Sequence, residues 1–410
     1  MTTLGIVSSY SESCGNASFT KVLHDTIEYY TDTKVEVVEL DLKLLQSANR
    51  TTRRYAETHV RKICEQLKKF DAVNIQMEAG LYGSLPQDII RRSKKIMMAN
   101  PNTSVTLHSP RIVSTTPSDS VSPIKHLLKL KIRTGIYELL LDLKRKKQYF
   151  VNKTIIKNAI KQNCQIIVHT KRAKDLICLF YHYDFVDVHP LKFVIEDSIE
   201  DKTILENIRW ELELKTTDTL IGLFGYLTEN KGHLDAISAI SYLPDNYKLL
   251  IFGRQHPQTI KSDGKVDMYI EKLVKAINSH NLARRVFFLG ELTDHDFLSV
   301  AKNIDIAWLP YYENGQDGSG IASILLDSCP RVLCSTSFAF DELFKLTPYK
   351  NVSRFCIGNA RELSTKTEMI LKRPIPSYPY SESPLYNIRT QVDTYMKVFT
   401  HASKKNYKNS

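Results

Sequence analysis

The sequence predicts an α/β protein made of two doubly wound parallel sheets, and three observations carry that reading. Short apolar runs alternate with helical patterns along most of the 410 residues. The alternation restarts after residue 215, so one sheet follows another. Several runs end in a Gly or Pro, pass through a polar loop and open a helix, as strands in parallel sheets must. A chain of this length divides naturally into two domains of about 200 residues each, large enough to bury proper cores.

Strands are expected near 4–8, 35–39, 72–76, 104–108 and 165–169, then near 220–224, 248–252, 285–289, 305–309 and 332–334. Gly5-Ile6-Val7-Ser8-Ser9 is a short apolar strand, followed by a polar loop with Cys14-Gly15-Asn16-Ala17 and a helix with Phe19, Val22, Leu23 and Ile27 on one face. The polar stretch Glu196–Asp218 reads as a hinge, with a short helix inside Leu205–Leu214 as an alternative. Ile221–Asp235 runs from an apolar strand through Gly225 and Tyr226 to Lys231-Gly232 and a helix carrying Leu234, Ala236, Ile237 and Ile240. Ala307–Leu343 repeats the arrangement: a strand ending at Pro310, a Gly-rich loop, a helix from Ser319-Gly320 with Ile321, Ile324 and Leu325, and the strand Val332-Leu333-Cys334. After a Pro/Ser/Tyr-rich loop from Pro374, Ile388–Phe399 has helical spacing. Expected domains are 1–195, a hinge at 196–218, and 219–384, with a helix at about 385–410 packing back on the first.

Apolar content of 42% is ordinary for a globular chain, and no run of eighteen uncharged apolar residues is present to span a bilayer. The start, Met1-Thr2-Thr3-Leu4, lacks the basic region of a secretory signal. Seven scattered cysteines without CxxC spacing point to reduced thiols, hence a cytoplasmic location. The net charge is +11, concentrated in Lys125–Lys161, which holds eleven Lys/Arg against Glu138 and Asp142, interleaved with leucines and isoleucines. Such a helix either lies on an anionic membrane surface or is a solvated helix packed on its own domain. Nucleic acid is not an expected partner, because no recognisable binding module accompanies the patch.

Ligands of doubly wound sheets bind at the carboxyl ends of the strands. A lysine and free amides at a helix entrance can hold a phosphate there. Lys231 is unusual in this position, since the positive end of a helix disfavours a cation.

These segments resemble the donor half of family 4 retaining glycosyltransferases of the GT-B fold: Lys231-Gly232 matches the family's K-G, and Asp327 falls at its second Glu. Tyr226 replaces an arginine and Ser319 stands at the first Glu, while the loop Tyr311-Tyr312-Glu313-Asn314-Gly315-Gln316-Asp317-Gly318-Ser319-Gly320 is similar to that of a subset of these enzymes. In the first half, Cys14-Gly15-Asn16-Ala17 resembles the C-G-x-A loop, Gln76-Met77-Glu78 the Q-H-E element with Met77 for histidine, Leu107-His108 the L-H strand end, and Val168-His169-Thr170 the V-H-S strand.

The resemblance implies two facing Rossmann-like domains and transfer of a hexose, with retention, from a GDP- or UDP-sugar to a glycan or lipid-linked acceptor in surface polysaccharide synthesis. GDP-mannose is a mild favourite. Catalytic roles fall to Lys231, His108 and Ser319, with Glu313 and Asp317 competing for the role of the first Glu. Donor binding falls to Gly15, Asn16, Gly225, Tyr226, Lys231, Arg254, Gly290, Asp317, Ser319, Gly320, Ile321 and Asp327, and the acceptor side to Gln76 and Glu78. Arg254, which follows Ile251-Phe252-Gly253, is a possible substitute for the cation missing at Tyr226. No metal or other cofactor is expected: the D-x-D candidate, Asp294-His295-Asp296, opens a helix, where aspartates ordinarily cap. The two departures leave one alternative open, a degenerate GT-B scaffold or partner subunit that binds without turnover.

Overall fold

The computed structural model describes residues 2–11, 15–112, 132–193, 202–255, 266–313, 315–346, 352–374 and 385–406; for 132–142, 144–145, 346 and 401–406 it describes the backbone alone. The chain forms two compact units, one of residues 1–191, 315–318 and 384–410, the other of 192–314 and 319–383.

The first unit runs β1 (Thr3–Ser8), α1 (Gly15–Tyr30), β2 (Lys34–Glu39), α2 (Leu42–Leu45), α3 (Arg50–Leu67), β3 (Ala72–Met77), α4 (Pro86–Met97), β4 (Thr103–Leu107), α5 (Ile132–Lys161), β5 (Gln165–Val168), α6 (Lys171–Tyr181) and β6 (Val186–Val188). Its six strands are parallel in the order β2-β1-β3-β4-β5-β6. All six residues of β3 are buried, as a strand covered on both faces requires. Gly5 interrupts β1 for a packing reason: a Cβ there would lie 2.5 Å from the Phe70 ring. In α3, Ala56, Val60, Ile63 and Leu67 recur at helical spacing and are buried, and the Asn49 side chain accepts from the amides of Thr51 and Thr52 to start the helix.

The second unit runs α7 (Thr203–Glu211), β7 (Thr219–Phe224), α8 (His233–Ile240), β8 (Tyr247–Phe252), α9 (Met268–Ser279), β9 (Val286–Gly290), α10 (Asp294–Asn303), β10 (Ile306–Leu309), α11 (Gly320–Ser328), β11 (Val332–Ser335), α12 (Asp341–Leu346), β12 (Val352–Phe355) and α13 (Ala360–Leu371). Its sheet is also six-stranded and parallel, in the order β12-β11-β10-β7-β8-β9. Its core gathers Ile221, Leu223, Ile237, Ile251 and Trp308; the Trp308 indole, fully enclosed, donates to Thr367 Oγ1 at 3.1 Å.

Finally α14 (Ile388–Asn406) packs on α1, β3 and β4 of the first unit, burying Val392, Tyr395 and Val398. The architecture is thus the expected α/β fold of two doubly wound sheets. Two strands escaped the periodicity reading: β6 has only three residues, and β12 sits at a sheet edge half-exposed. The stretch read as a hinge contains α7, which packs on α10 with Leu205 buried. Cys14, Lys125–Lys131 and residues 196–201 lie outside the described residues. Among the described residues six cysteines are free thiols, and no helix is long and apolar enough to cross a membrane.

Candidate functional site

At the carboxyl edge of the second sheet, backbone segments approach so closely that only glycine fits. β7 is followed by Gly225 (φ 111°), and a Cβ at Gly253, after β8, would lie 1.9 Å from the Gly225 carbonyl oxygen. The loop from Gly225 ends in the 3₁₀ turn Glu229–Lys231 and then Gly232, in the left-handed region at φ 71°. A Cβ at Gly232 would come within 1.8 Å of the Pro310 carbonyl oxygen, at the end of β10. The Lys-Gly pair therefore places a lysine at the mouth of α8 while docking that loop onto the next strand end.

Lys231 Nζ lies 3.7 Å from the centroid of the buried Tyr311 ring. Tyr311 Oη is 3.4 Å from Ser319 Oγ, and Ser319 caps α11 by accepting from the Ala322 amide. The side chain of Ile321, in the first turn of α11, closes over Gly225. Gly320 backs against the Phe193 ring, 3.1 Å from where its Cβ would be. Gly225, Lys231, Tyr311, Ser319, Gly320 and Ile321 thus converge on one edge, and the first amides of α11 have no partners within the helix. Tyr311 was not singled out as a site residue in the sequence; the aromatic pair after Pro310 was its only signal.

Behind this edge is a buried polar group. His233 is fully enclosed; burial, with the Lys231 charge second, lowers its pKa to about 3. Its Nδ1 is 3.3 Å from Tyr269 Oη. Burial raises the Asp235 carboxyl, while a hydrogen bond from Tyr312 pulls it the other way.

Arg254, Gly290 and Asp327, also expected at the donor, belong to the same unit. Arg254 pairs with Glu291 at 3.1 Å and lies over the Tyr226 ring at 5.8 Å, so the guanidinium proposed to replace the missing cation is held by a carboxylate. Asp327, expected at ribose hydroxyls, accepts from Lys192 Nζ at 2.7 Å in a largely buried pair. Glu313 accepts from the Phe338 amide at 2.9 Å and so anchors its loop. Gly290 has φ 79° with open space at its Cβ position. The Asp294-His295-Asp296 segment is the first turn of α10, capped by Thr293, which accepts from the Asp296 amide. Among the described residues no group of three or more His, Cys, Asp or Glu is arranged to hold a metal.

In the first unit, Gly15 and Asn16 begin α1, and the Asn16 carbonyl accepts from Thr20 Oγ1. Asp317 is buried, with Thr170 Oγ1 3.4 Å from its carboxylate. His108, expected to reach a donor, has both ring nitrogens occupied: Nε2 is 2.7 Å from Gln76 Oε1 and Nδ1 is 3.0 Å from His169 Nε2. Gln76, expected on the acceptor side, is fully enclosed and also bonds Asn74. Its position at the end of β3 is as read, but the side chain points into the sheet's polar interior, where Asn74 bonds Ser104 and Thr106, and Thr106 meets Tyr395. Tyr82 is fully buried, with its hydroxyl donating to the Gln76 carbonyl. Glu78 stands at the same strand end, hydrogen-bonded to Ser109 and beside Arg111.

Residues 205–324, which span β7 to β10 and the start of α11, match the family model described as glycosyl transferases group 1. No curated protein sequence matches the chain. Among solved structures, Anabaena HepE in complex with UDP and glucose is similar at TM-score 0.64 and 12% identity, over 97% of this chain and 99% of that one. A sucrose-phosphate synthase from Thermosynechococcus elongatus is similar at TM-score 0.62 and 16% identity, over 100% and 99%. An α,α-trehalose-phosphate synthase (UDP-forming) from Burkholderia xenovorans, in complex with glucose-6-phosphate, is similar at TM-score 0.62 and 10% identity, over 97% and 99%. The fold of this chain is that of the GT-B proteins, and with the matched segment it supports a glycosyltransferase.

Proposed function

We propose that this protein is a retaining hexosyltransferase that uses a nucleotide-diphosphate sugar and acts on a glycan or lipid-linked acceptor. The observation that carries the reading is the convergence of Lys231, the glycine-lined turn at Gly225 and the first amides of α11 on one sheet edge. Departure of a nucleoside diphosphate accumulates negative charge on its oxygens as the anomeric bond breaks, and fixed donors already aimed at that place stabilise it without reorganising. Lys231 supplies the cation and the Gly320 and Ile321 amides the neutral donors, with no metal in that role. Retention follows an internal return, in which the departing phosphate oxygen takes the acceptor's proton on the face it leaves. Anabaena HepE is described in complex with UDP-glucose and with UDP. UDP-sugars are therefore the first donors to test, ahead of GDP-mannose.

The described part of α5 turns Leu143 and Phe150, 54% and 59% exposed, outward with Lys146, Lys147, Lys157 and Lys161. This mixed basic and apolar stripe supports peripheral binding to an anionic bilayer.

The deciding experiment is thermal denaturation with UDP, GDP and their sugars, followed by product NMR. A ligand at 100 times its dissociation constant stabilises the fold by about 2.7 kcal/mol. Binding without release of nucleoside diphosphate from any donor would favour the non-catalytic scaffold, and an inverted glycoside would exclude internal return.

A further inference from the structure

The loop that leaves β4 bends sharply at Arg111, whose φ of 44° puts a non-glycine residue in the left-handed region. Arg111 Nε is enclosed and, among the described residues, has no hydrogen-bond partner, so that N–H does nothing to repay the strain. Asn152 of α5 donates to the Ser109 carbonyl at 3.0 Å and holds the loop in place. Across from it, at the end of β3, the Glu78 carboxyl is raised by burial, an effect that the Arg111 charge and a Ser109 hydrogen bond oppose. A guanidinium with an unused N–H, a carboxyl beside it, and the carboxyl ends of two adjacent strands stand together at this place.

We propose that Arg111 receives an oxyanion of the acceptor, a phosphate or a carboxylate, and that Glu78 holds a neighbouring acceptor hydroxyl. This deepens the proposed function and rests on it for the word acceptor alone. A planar fork takes two oxygens of such a group in parallel, which an ammonium cannot do, and the left-handed turn is what aims it. Glu78, called on the acceptor side from sequence, thereby acquires a partner that no sequence signal marked.

The test titrates the full chain, saturated with UDP, with inorganic phosphate, glucuronate and glucose by calorimetry. Phosphate or glucuronate should bind at least tenfold more tightly than glucose, and which of the two binds identifies the oxyanion. Arg111→Gln and Arg111→Gly should weaken that binding tenfold or more, Arg111→Lys less, and the UDP affinity should stay within twofold. Arg111→Gly should also melt at the same temperature or higher, because glycine relieves the positive φ. Equal binding of glucose and the anions, anion binding unchanged in Arg111→Gly, or a lower melting temperature of that variant each overturn the proposal. Lys231→Met, which tests the donor site, should leave anion binding intact; if UDP itself fails to bind, anion binding measured in that variant still decides the Arg111 assignment.

Discussion

His108 Nδ1 and His169 Nε2 face each other at 3.0 Å, with His169 Nδ1 2.9 Å from the His189 carbonyl and His108 Nε2 against the Gln76 amide. Three contacts in series need three protons, and two neutral imidazoles bring two. The Gln76 amide supplies the third only if it and Asn74 are both turned end for end, since as placed its NH2 donates to Asn74 Oδ1. Burial lowers the His169 pKa to about 4, and burial together with the neighbouring His169 holds His108 well below the ordinary histidine value.

A pH dependence follows from that pair. The unfolded chain takes up protons near pH 6.5, whereas the folded chain leaves His169 neutral to about pH 4. Stability should therefore fall as pH drops from about 6.5 to 4, by roughly 3 kcal/mol for His169 alone. Urea denaturation across this window checks it: His169→Gln should flatten the slope, and an unchanged slope would reject the assignment.

Replacing the Lys231 ammonium should disable transfer while sparing the fold. Lys231→Met gives up a cation–π contact of about 1 kcal/mol with Tyr311, a small loss of stability. Transfer from a UDP-sugar should fall by about 100-fold or more, as when one fixed donor to a developing oxyanion is removed. Chelator should leave the wild-type rate unchanged; abolition by EDTA, or full activity of the variant, would sink the donor-site account.

The glycines of the donor edge make a sharp contrast. Gly232→Ala drives a methyl into the Pro310 carbonyl, and its melting temperature should drop steeply, by several kcal/mol of stability. Gly290→Ala keeps a positive φ but has open space, so its cost should be only about 1 kcal/mol. Equal losses in thermal denaturation would show that the Gly232 contact with Pro310 is not close in solution.

Lys192 and Asp327 form a largely buried ion pair. Asp327→Asn should cost about 3 to 5 kcal/mol by stranding the Lys192 charge, and Lys192→Met with Asp327→Leu should recover most of it. If Asp327→Asn left stability intact and weakened only nucleotide binding, the carboxylate would be a ligand contact after all.

On α5, reversing Lys147 and Lys157 to Glu should lower flotation with anionic vesicles, each lysine contributing about 1 kcal/mol, with the effect fading at high salt. Phe150→Ala should lower it independently of salt. Flotation unaltered by either change would leave that face as a solvated surface.

Most of the fold was legible because strands buried on at least one face must carry apolar residues, and ten of them stand out. What β6 and β12 lacked was length or burial on both sides. The site was legible in part. Lys231, Gly225 and Ser319 gather as read, since the turn chemistry of a strand-to-helix junction fixes where the backbone goes. Strand-end reasoning places a Cα but not a side chain, which is why Gln76 and His108 turned out to serve the sheet's interior. Asp327 and Arg254 were read without their counter-charges, because Lys192 and Glu291 are far from them in sequence. Arg111 carried no local pattern at all; only its backbone angle and its idle Nε mark it.

The helix α14 has a consequence for synthesis. The first sheet is complete at Val188, yet Thr106 waits for Tyr395, His189 for Thr390 and Asp187 for Lys397. At roughly 5 to 20 residues per second, those partners emerge from the ribosome about 10 to 40 s later. Through that interval the nascent first unit exposes the apolar seat of Val392 and Val398, and with it a need for chaperone cover that a chain folding its domains strictly in order would not have.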